Sequence, residues 1–288
     1  MLSDAIRLPS MLTSDLDGLA LLEDASTRTT TPCGDGELMW HSWGQGPALV
    51  LLHGGSGSWR HWVRTIPAFA GQWRVLAPDH PGLGESALPP APYSPFSMAA
   101  IIAQGLETLL APGERYDLVG FSFGGLIAGH LAAQHGDRVR TLTINGSGGL
   151  GVARMPTPLE KVRNKTGAER VEAHRTNLAR LMIHDVARID ALALAIQGWN
   201  SDHARLDSRQ FALTMTLSEA ITAATAPLNA IWGERDATGW PHIEDRRAAL
   251  QALRPAVDFR VIPGAGHWTA YEAPEPFNAI LREFLERG

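Results

Sequence analysis

The chain has 288 residues, 44% of them hydrophobic, a formal net charge of -5 and a single cysteine, Cys33. That length can bury one large core plus an inserted subdomain. No basic stripe marks it for nucleic acid, no apolar run is long enough to cross a bilayer, and one cysteine excludes an internal disulfide. No charged-then-apolar leader opens the chain, so the expectation is a cytoplasmic enzyme with a small-molecule substrate and neither nucleic acid nor membrane as partner.

Residues 1–35 read as an N-terminal extension in which Asp4, Arg7, Asp15, Asp17 and Glu23 are mixed with short apolar stretches. Cys33, between Pro32 and Gly34, reads as a loop thiol. Ala48–Leu52 is a buried strand that empties into the glycine-rich loop His53-Gly54-Gly55-Ser56. Val75–Ala77 is a second strand, followed by the turn Asp79–Ser86 and a proline-rich connection, Leu88–Pro95. Tyr116–Val119 then leads through Gly120-Phe121-Ser122-Phe123-Gly124 into a helix-like run, Leu126–Ala132. A G-x-S-x-G segment between a strand and a helix is the signature of a strained turn that presents a serine hydroxyl.

After the strand Leu142–Ile144 the rhythm changes. Residues 147–222 are rich in Ala, Leu, Arg and Glu, with apolar stripes at Leu178, Leu181, Met182 and Val186 and at Ile189, Leu192 and Ile196. They read as a helical lid over a core made of residues 36–146 and 223–288. Strands resume at Leu228–Trp232, which runs on to Asp236, and at Phe259–Ile262, which runs on to His267. Apolar runs alternating with helix-length segments imply an α/β fold whose mostly parallel sheet is covered on both faces.

Ser122, Asp236 and His267 follow one another in the order that serine chemistry takes on such a sheet. A serine hydroxyl is a weak nucleophile and needs a base; imidazole, with an ordinary pKa near 6.5, suits that task, and a carboxylate orients it. Glu234 competes with Asp236 for the acid role from two residues away. His53 reads as a brace for the loop it opens, and Asp79 as a turn residue bonding local backbone. The backbone N–H of Phe123, directly after the serine, is placed to meet an oxyanion.

With the turn Asp79-His80-Pro81-Gly82-Leu83-Gly84-Glu85-Ser86 added, the chain from about Gly36 onward resembles the α/β-hydrolase fold family. The resemblance implies about eight strands and the N–H of Gly55 as the second oxyanion donor; nothing in the sequence resembles a metal cluster or a phosphate loop, so neither metal nor cofactor is expected. Within the family it is most similar to the meta-cleavage-product (carbon-carbon bond) hydrolases of aromatic degradation and to carboxylesterases. His53-Gly54-Gly55, the Gly146–Gly151 turn, Met182–Asp185 and Gly266-His267-Trp268 with Glu272 carry that likeness.

The departures from the carbon-carbon hydrolases are Phe121, where they place asparagine, and Gln197, where they place a lid arginine that handles the substrate carboxylate. Arg188, Arg205 and Arg209 are candidate replacements for that cation. Gly54, Ser56, Phe121, Ser147, Gln197 and Trp268 are the expected substrate contacts, with Trp199 a further candidate pocket wall. The resulting expectation is a serine hydrolase of small or aromatic carboxylic esters, with carbon-carbon hydrolysis as the alternative and a ligand receptor that retains its triad as a third reading. Dehalogenases and epoxide hydrolases of this fold attack with an aspartate where Ser122 stands. Hydroxynitrile lyases and cofactor-free dioxygenases can keep the serine. Oligomeric state stays open, with a homodimer the commonest default.

Overall fold

The computed structural model describes residues 15–288. Helix α1 (Leu16–Asp24) precedes β1 (Thr27–Cys33), β2 (Gly36–Trp43), β3 (Ala48–Leu52), the short α2 (Ile66–Phe69), β4 (Arg74–Pro78), α3 (Pro95–Leu109), β5 (Tyr116–Phe121), α4 (Phe123–His135) and β6 (Val139–Asn145). The insertion carries α5 (Gly167–Asn177) and α6 (Ala191–Asp202). The second half comprises α7 (Thr216–Ala223), β7 (Leu228–Gly233), α8 (Ile243–Leu253), β8 (Asp258–Ile262), α9 (Thr269–Glu272) and α10 (Pro274–Arg287).

All eight strands form one sheet in the order β1-β2-β4-β3-β5-β6-β7-β8. The six strands from β4 to β8 in that order are parallel, and β1 and β2 are antiparallel at one edge. Alternate residues of β3 feed opposite faces: Ala48, Val50 and Leu52 join the core beneath α3, α4, α7 and α8, whereas Leu49 and Leu51 join the one beneath α2, α10 and the insertion. A strand buried on both faces must be apolar at every position, which is why β3 is legible as a continuous run. Helix α3 starts where Ser94 and Ser97 bond each other's backbone N–H groups and Pro95 supplies a preset φ.

Two expected boundaries need correction. Residues 27–35 are part of the sheet: β1 pairs along its whole length with β2, and Cys33 is a buried strand residue with its thiol against the Ala87 carbonyl. Burial pushes that thiol pKa up. The first fourteen residues of the expected extension lie outside the described residues. At the other boundary, α7 belongs to the core, because Leu217 and Ile221 are buried with Leu126 of α4.

The insertion is anchored to the core by apolar and polar contacts. Leu178, Met182, Ile189, Leu192 and Ile196 are buried in one cluster with Trp62 and Phe277. Val186, expected in that stripe, is 65% exposed because it falls in a single 3-10 turn after the helix has ended. Asp190 holds Arg64 at 2.8 Å and accepts from the Tyr271 hydroxyl, while Ser58 donates to Asn200 at 2.7 Å. Among the described residues no helix is long and apolar enough to cross a membrane.

Candidate active site

Ser122 stands between the end of β5 and the first turn of α4 with φ 52° and ψ -115°, a strained conformation for a residue with a side chain. Neighbouring glycines make the turn feasible. A Cβ at Gly124 would stand 2.3 Å from the carbonyl oxygens of both Leu52 and His53, and one at Gly120 would stand 2.5 Å from the Gly124 carbonyl. Only hydrogen fits at either position, so β3, β5 and α4 converge beneath the serine.

His267, in the loop after β8, receives the Ser122 hydroxyl at its Nε2 over 3.0 Å. Its Nδ1 lies 2.9 Å from both oxygens of Asp236, in the loop after β7. A carboxylate only accepts, so Nδ1 carries the proton and Nε2 is the free acceptor that faces Ser122. Asp236 is fully buried. Burial raises its pKa, but the electrostatic influence of His267 and hydrogen bonds from His267 and Thr238 outweigh that and hold it below the ordinary carboxylate value. Glu234 does not reach His267; its carboxylate accepts the Gly264 N–H at 2.9 Å.

The N–H groups of Gly55 and Phe123 have no acceptor among the described residues, and both residues line the cavity that holds Ser122. They are free to meet a developing negative charge. Behind them lies a stack of neutral imidazoles. His53 donates through Nδ1 to the Gly54 carbonyl at 2.8 Å and accepts the His80 N–H at Nε2, its ring 3.8 Å from that of His80. His53 thus braces the loop, as its position implied. His61 accepts the Gly54 N–H at 3.2 Å, which leaves its remaining proton on Nε2. Burial, with His267 and His80 nearby, lowers the His61 pKa to about 3, and burial lowers His80 to about 4. Asp79 accepts the N–H groups of Trp59 and Glu85, each at 2.9 Å, and burial pushes it up to about 6.

A cavity of about 710 Å³ opens above Ser122. Gly54, Ser56, Phe121, Ser147 and Gln197 all line it. Phe121 is buried with its ring 4.9 Å from that of His267, which gives the floor an apolar character. Trp268 requires correction: it does not line the cavity, because its backbone turns the indole into the core, where it donates to the His61 carbonyl at 2.7 Å and stacks on Tyr271. Trp199 likewise stacks on His203, with Arg60 3.7 Å over its ring, outside the cavity wall. Arg188 is exposed beside Asp185, and Arg205 is committed to the carbonyls of Gly84 and Ser86. Arg209 reaches the cavity but is paired with Asp207.

Sequence reasoning missed the part played by Glu272. Its carboxylate accepts the N–H of Gly266 at 2.7 Å, of His184 at 3.1 Å and of Asp185 at 2.6 Å, while Trp268 N–H donates to the Met182 carbonyl. The inserted segment at Met182–Asp185 and the histidine loop are therefore fastened to each other on either side of His267. Arg154, Lys161, Arg163 and Arg246, also on the cavity wall, were missed as well.

A strand-to-helix serine, a histidine-carboxylate pair from later strands and an all but fully parallel sheet are joined by a family match over residues 47–274, described as alpha/beta hydrolase fold. The chain belongs to the α/β-hydrolase fold family. Its 2-hydroxy-6-oxo-6-phenylhexa-2,4-dienoate hydrolase relative from Burkholderia cepacia is 30% identical over 263 residues, spanning 85% of this chain and 90% of that one. A pimeloyl-[acyl-carrier protein] methyl ester esterase from Edwardsiella ictaluri (strain 93-146) is 32% identical over 270 residues, spanning 86% and 97%. Among solved structures, carboxylesterase CesB (YbfK) from Bacillus subtilis superposes with a TM-score of 0.75 at 21% identity, covering 94% of this chain and 95% of that one, a likeness of fold. Relatives of this α/β hydrolase thus include a dienoate hydrolase and a methyl ester esterase.

Proposed function

We propose that this α/β hydrolase is a serine hydrolase that cleaves small or aromatic carboxylic esters through an acyl-enzyme on Ser122. The carrying observation is the continuous hydrogen-bond chain from Ser122 Oγ through His267 to the buried Asp236, beside two unengaged N–H groups. Ser122 Oγ attacks the ester carbonyl as His267 Nε2 takes its proton, and Asp236 stabilises the imidazolium that forms. Gly55 and Phe123 N–H groups meet the oxyanion, a contribution of about 3 kcal/mol per donor where one has been removed elsewhere. His267 then returns the proton to the leaving alkoxide, and water, activated by the same imidazole, releases the acid. Phe121 on the cavity floor favours an apolar acyl or alcohol group.

Carbon-carbon hydrolysis of ring-fission products is the second reading, supported by the Burkholderia cepacia relative and by cations on the cavity wall. Steady-state assay of p-nitrophenyl esters, aromatic esters and a ring-fission dienoate on one preparation separates the two. Ester turnover that dominates supports the first reading; dienoate cleavage that dominates replaces it with the second. A protein that binds these compounds without turning over many molecules per chain fits the receptor reading and contradicts both.

A further inference from the structure

The cavity carries more positive charge than its own acids compensate. Two of its wall carboxylates are occupied: Asp207 by Arg209, and Glu160 by Arg180 at 3.2 Å and Lys165 at 3.7 Å. Arg154 differs from Arg209. It is half-buried in the cavity wall and has no hydrogen-bond or ion-pair partner among the described residues. None of its guanidinium nitrogens is shut away from the cavity, so the fork keeps its donors open to an anion that enters there.

Its location is set by a second arginine. Arg246, in α8 and buried, donates through Nη2 to the Ala153 carbonyl at 2.5 Å and to the Thr238 carbonyl at 2.8 Å, and through Nη1 to the His242 carbonyl at 3.0 Å. One guanidinium thereby ties the loop that carries Arg154 to the loop that carries Asp236. Burial lowers the Arg154 pKa, and the Asp236 charge acts in the other direction, so the two groups are close enough to sense each other. Asp236 is not the partner Arg154 lacks: its hydrogen bonds run to His267 and Thr238, and none joins it to Arg154.

We infer that Arg154 is an anion-binding subsite within the cavity, which takes the free carboxylate of a substrate whose ester lies at Ser122. A planar carboxylate matches the guanidinium fork with two parallel, charge-assisted hydrogen bonds. The substrate class is then a half-ester of a dicarboxylic acid, with an apolar spacer between its two ends that suits a cavity whose lining includes Phe121 and Leu181. This rests on the ester-hydrolase reading only for the end that reacts. The carboxylate end stands on Arg154 and its clamp.

The test compares kcat/KM for the mono-p-nitrophenyl ester of adipic acid and for p-nitrophenyl hexanoate, whose acyl chains are equal in length. Wild type is expected to favour the charged ester, and Arg154→Gln to lower the charged-to-neutral ratio at least tenfold, mainly through KM. Arg154→Lys should restore part of the ratio. Should Arg154→Gln melt early, wild type decides alone: adipate should inhibit hexanoate ester hydrolysis at a concentration at least tenfold lower than hexanoate does, and equal inhibition overturns the subsite. Turnover of neutral esters with a ratio that Arg154→Gln leaves unmoved overturns the subsite and leaves the hydrolase reading standing. Calorimetry on Ser122→Ala gives the converse. Adipate monomethyl ester that binds it, and binds at least tenfold more weakly once Arg154→Gln is added, upholds the subsite even if no ester is turned over by wild type.

Discussion

Glu272→Gln keeps the shape of the side chain and removes half of its accepting capacity. In the native site Oε2 serves Gly266 and His184 while Oε1 serves Asp185 at 2.6 Å. A glutamine oriented to keep the first two bonds turns its own N–H₂ toward the Asp185 N–H, so one charge-assisted bond is lost and a donor-donor contact replaces it. One such bond is worth about 1.5 to 3 kcal/mol. For a chain of 288 residues, an unfolding entropy of about 2.1 cal/mol/K per residue turns 2 kcal/mol into a drop of about 3 °C in Tm. Catalysis should suffer more than stability, because Gly266 immediately precedes His267 and a displacement of about 1 Å in a reacting group costs on the order of a hundredfold. Thermal unfolding followed by steady-state ester hydrolysis measures both: Glu272→Gln is expected to lose about 3 °C and at least tenfold in kcat, and Glu272→Ala more of each. Two variants that melt and turn over like wild type would refute the idea that this carboxylate positions the histidine loop.

Asp236→Asn should lower kcat by about ten-thousandfold, as loss of the orienting carboxylate does in the template serine protease, whereas Glu234→Gln should stay within severalfold; the reverse ranking in a single-turnover assay would transfer the acid role. Gly124→Ala should abolish turnover and cost a few kcal/mol or more in urea unfolding, since its methyl would meet two carbonyl oxygens at 2.3 Å; a variant as stable and active as wild type would contradict the close approach. Acid should unfold the protein steeply. Burial holds His41 and His80 to about 4 and His61 to about 3, and holds His53 well below its usual value, so these groups gain protons on unfolding once pH falls below about 6.5. Asp79, raised to about 6, opposes them as a single group that loses its proton on unfolding. The net of about three protons gives a slope of about 4 kcal/mol per pH unit between roughly pH 6 and 4.5, stability falling with pH. Urea denaturation at pH 7.5 and pH 5.5 that yields equal stability would show that the histidines are not neutral in the fold.

The parts of this molecule that were legible in its sequence are those where local pattern and tertiary role coincide. Strands β3, β4, β5 and β7 are buried along most of their length and contain apolar runs, and the serine turn announces itself through the glycines its geometry requires. Strand β1 escaped because its face is largely exposed and its threonines give no apolar run; β-branched residues beside Gly34 were the only signal of a hairpin. Adjacency misled at Trp268, where one residue beyond His267 the chain has turned its indole away from the cavity. Glu272 and Arg154 were silent for another reason. Two of the three backbone partners of Glu272 lie 87 and 88 residues away, and Arg154 faces a cavity built from distant segments, and neither leaves a periodic mark.

Ester turnover by wild type and Ser122→Ala, assayed side by side with p-nitrophenyl butyrate at matched melting temperature, bears most directly on Ser122 as nucleophile. Wild type should release many molecules of p-nitrophenol per chain, and the variant should fall toward the uncatalysed background, a loss of up to about a millionfold by comparison with another serine hydrolase. A folded Ser122→Ala protein that keeps a tenth or more of the wild-type rate would place the nucleophile elsewhere and contradict the mechanism.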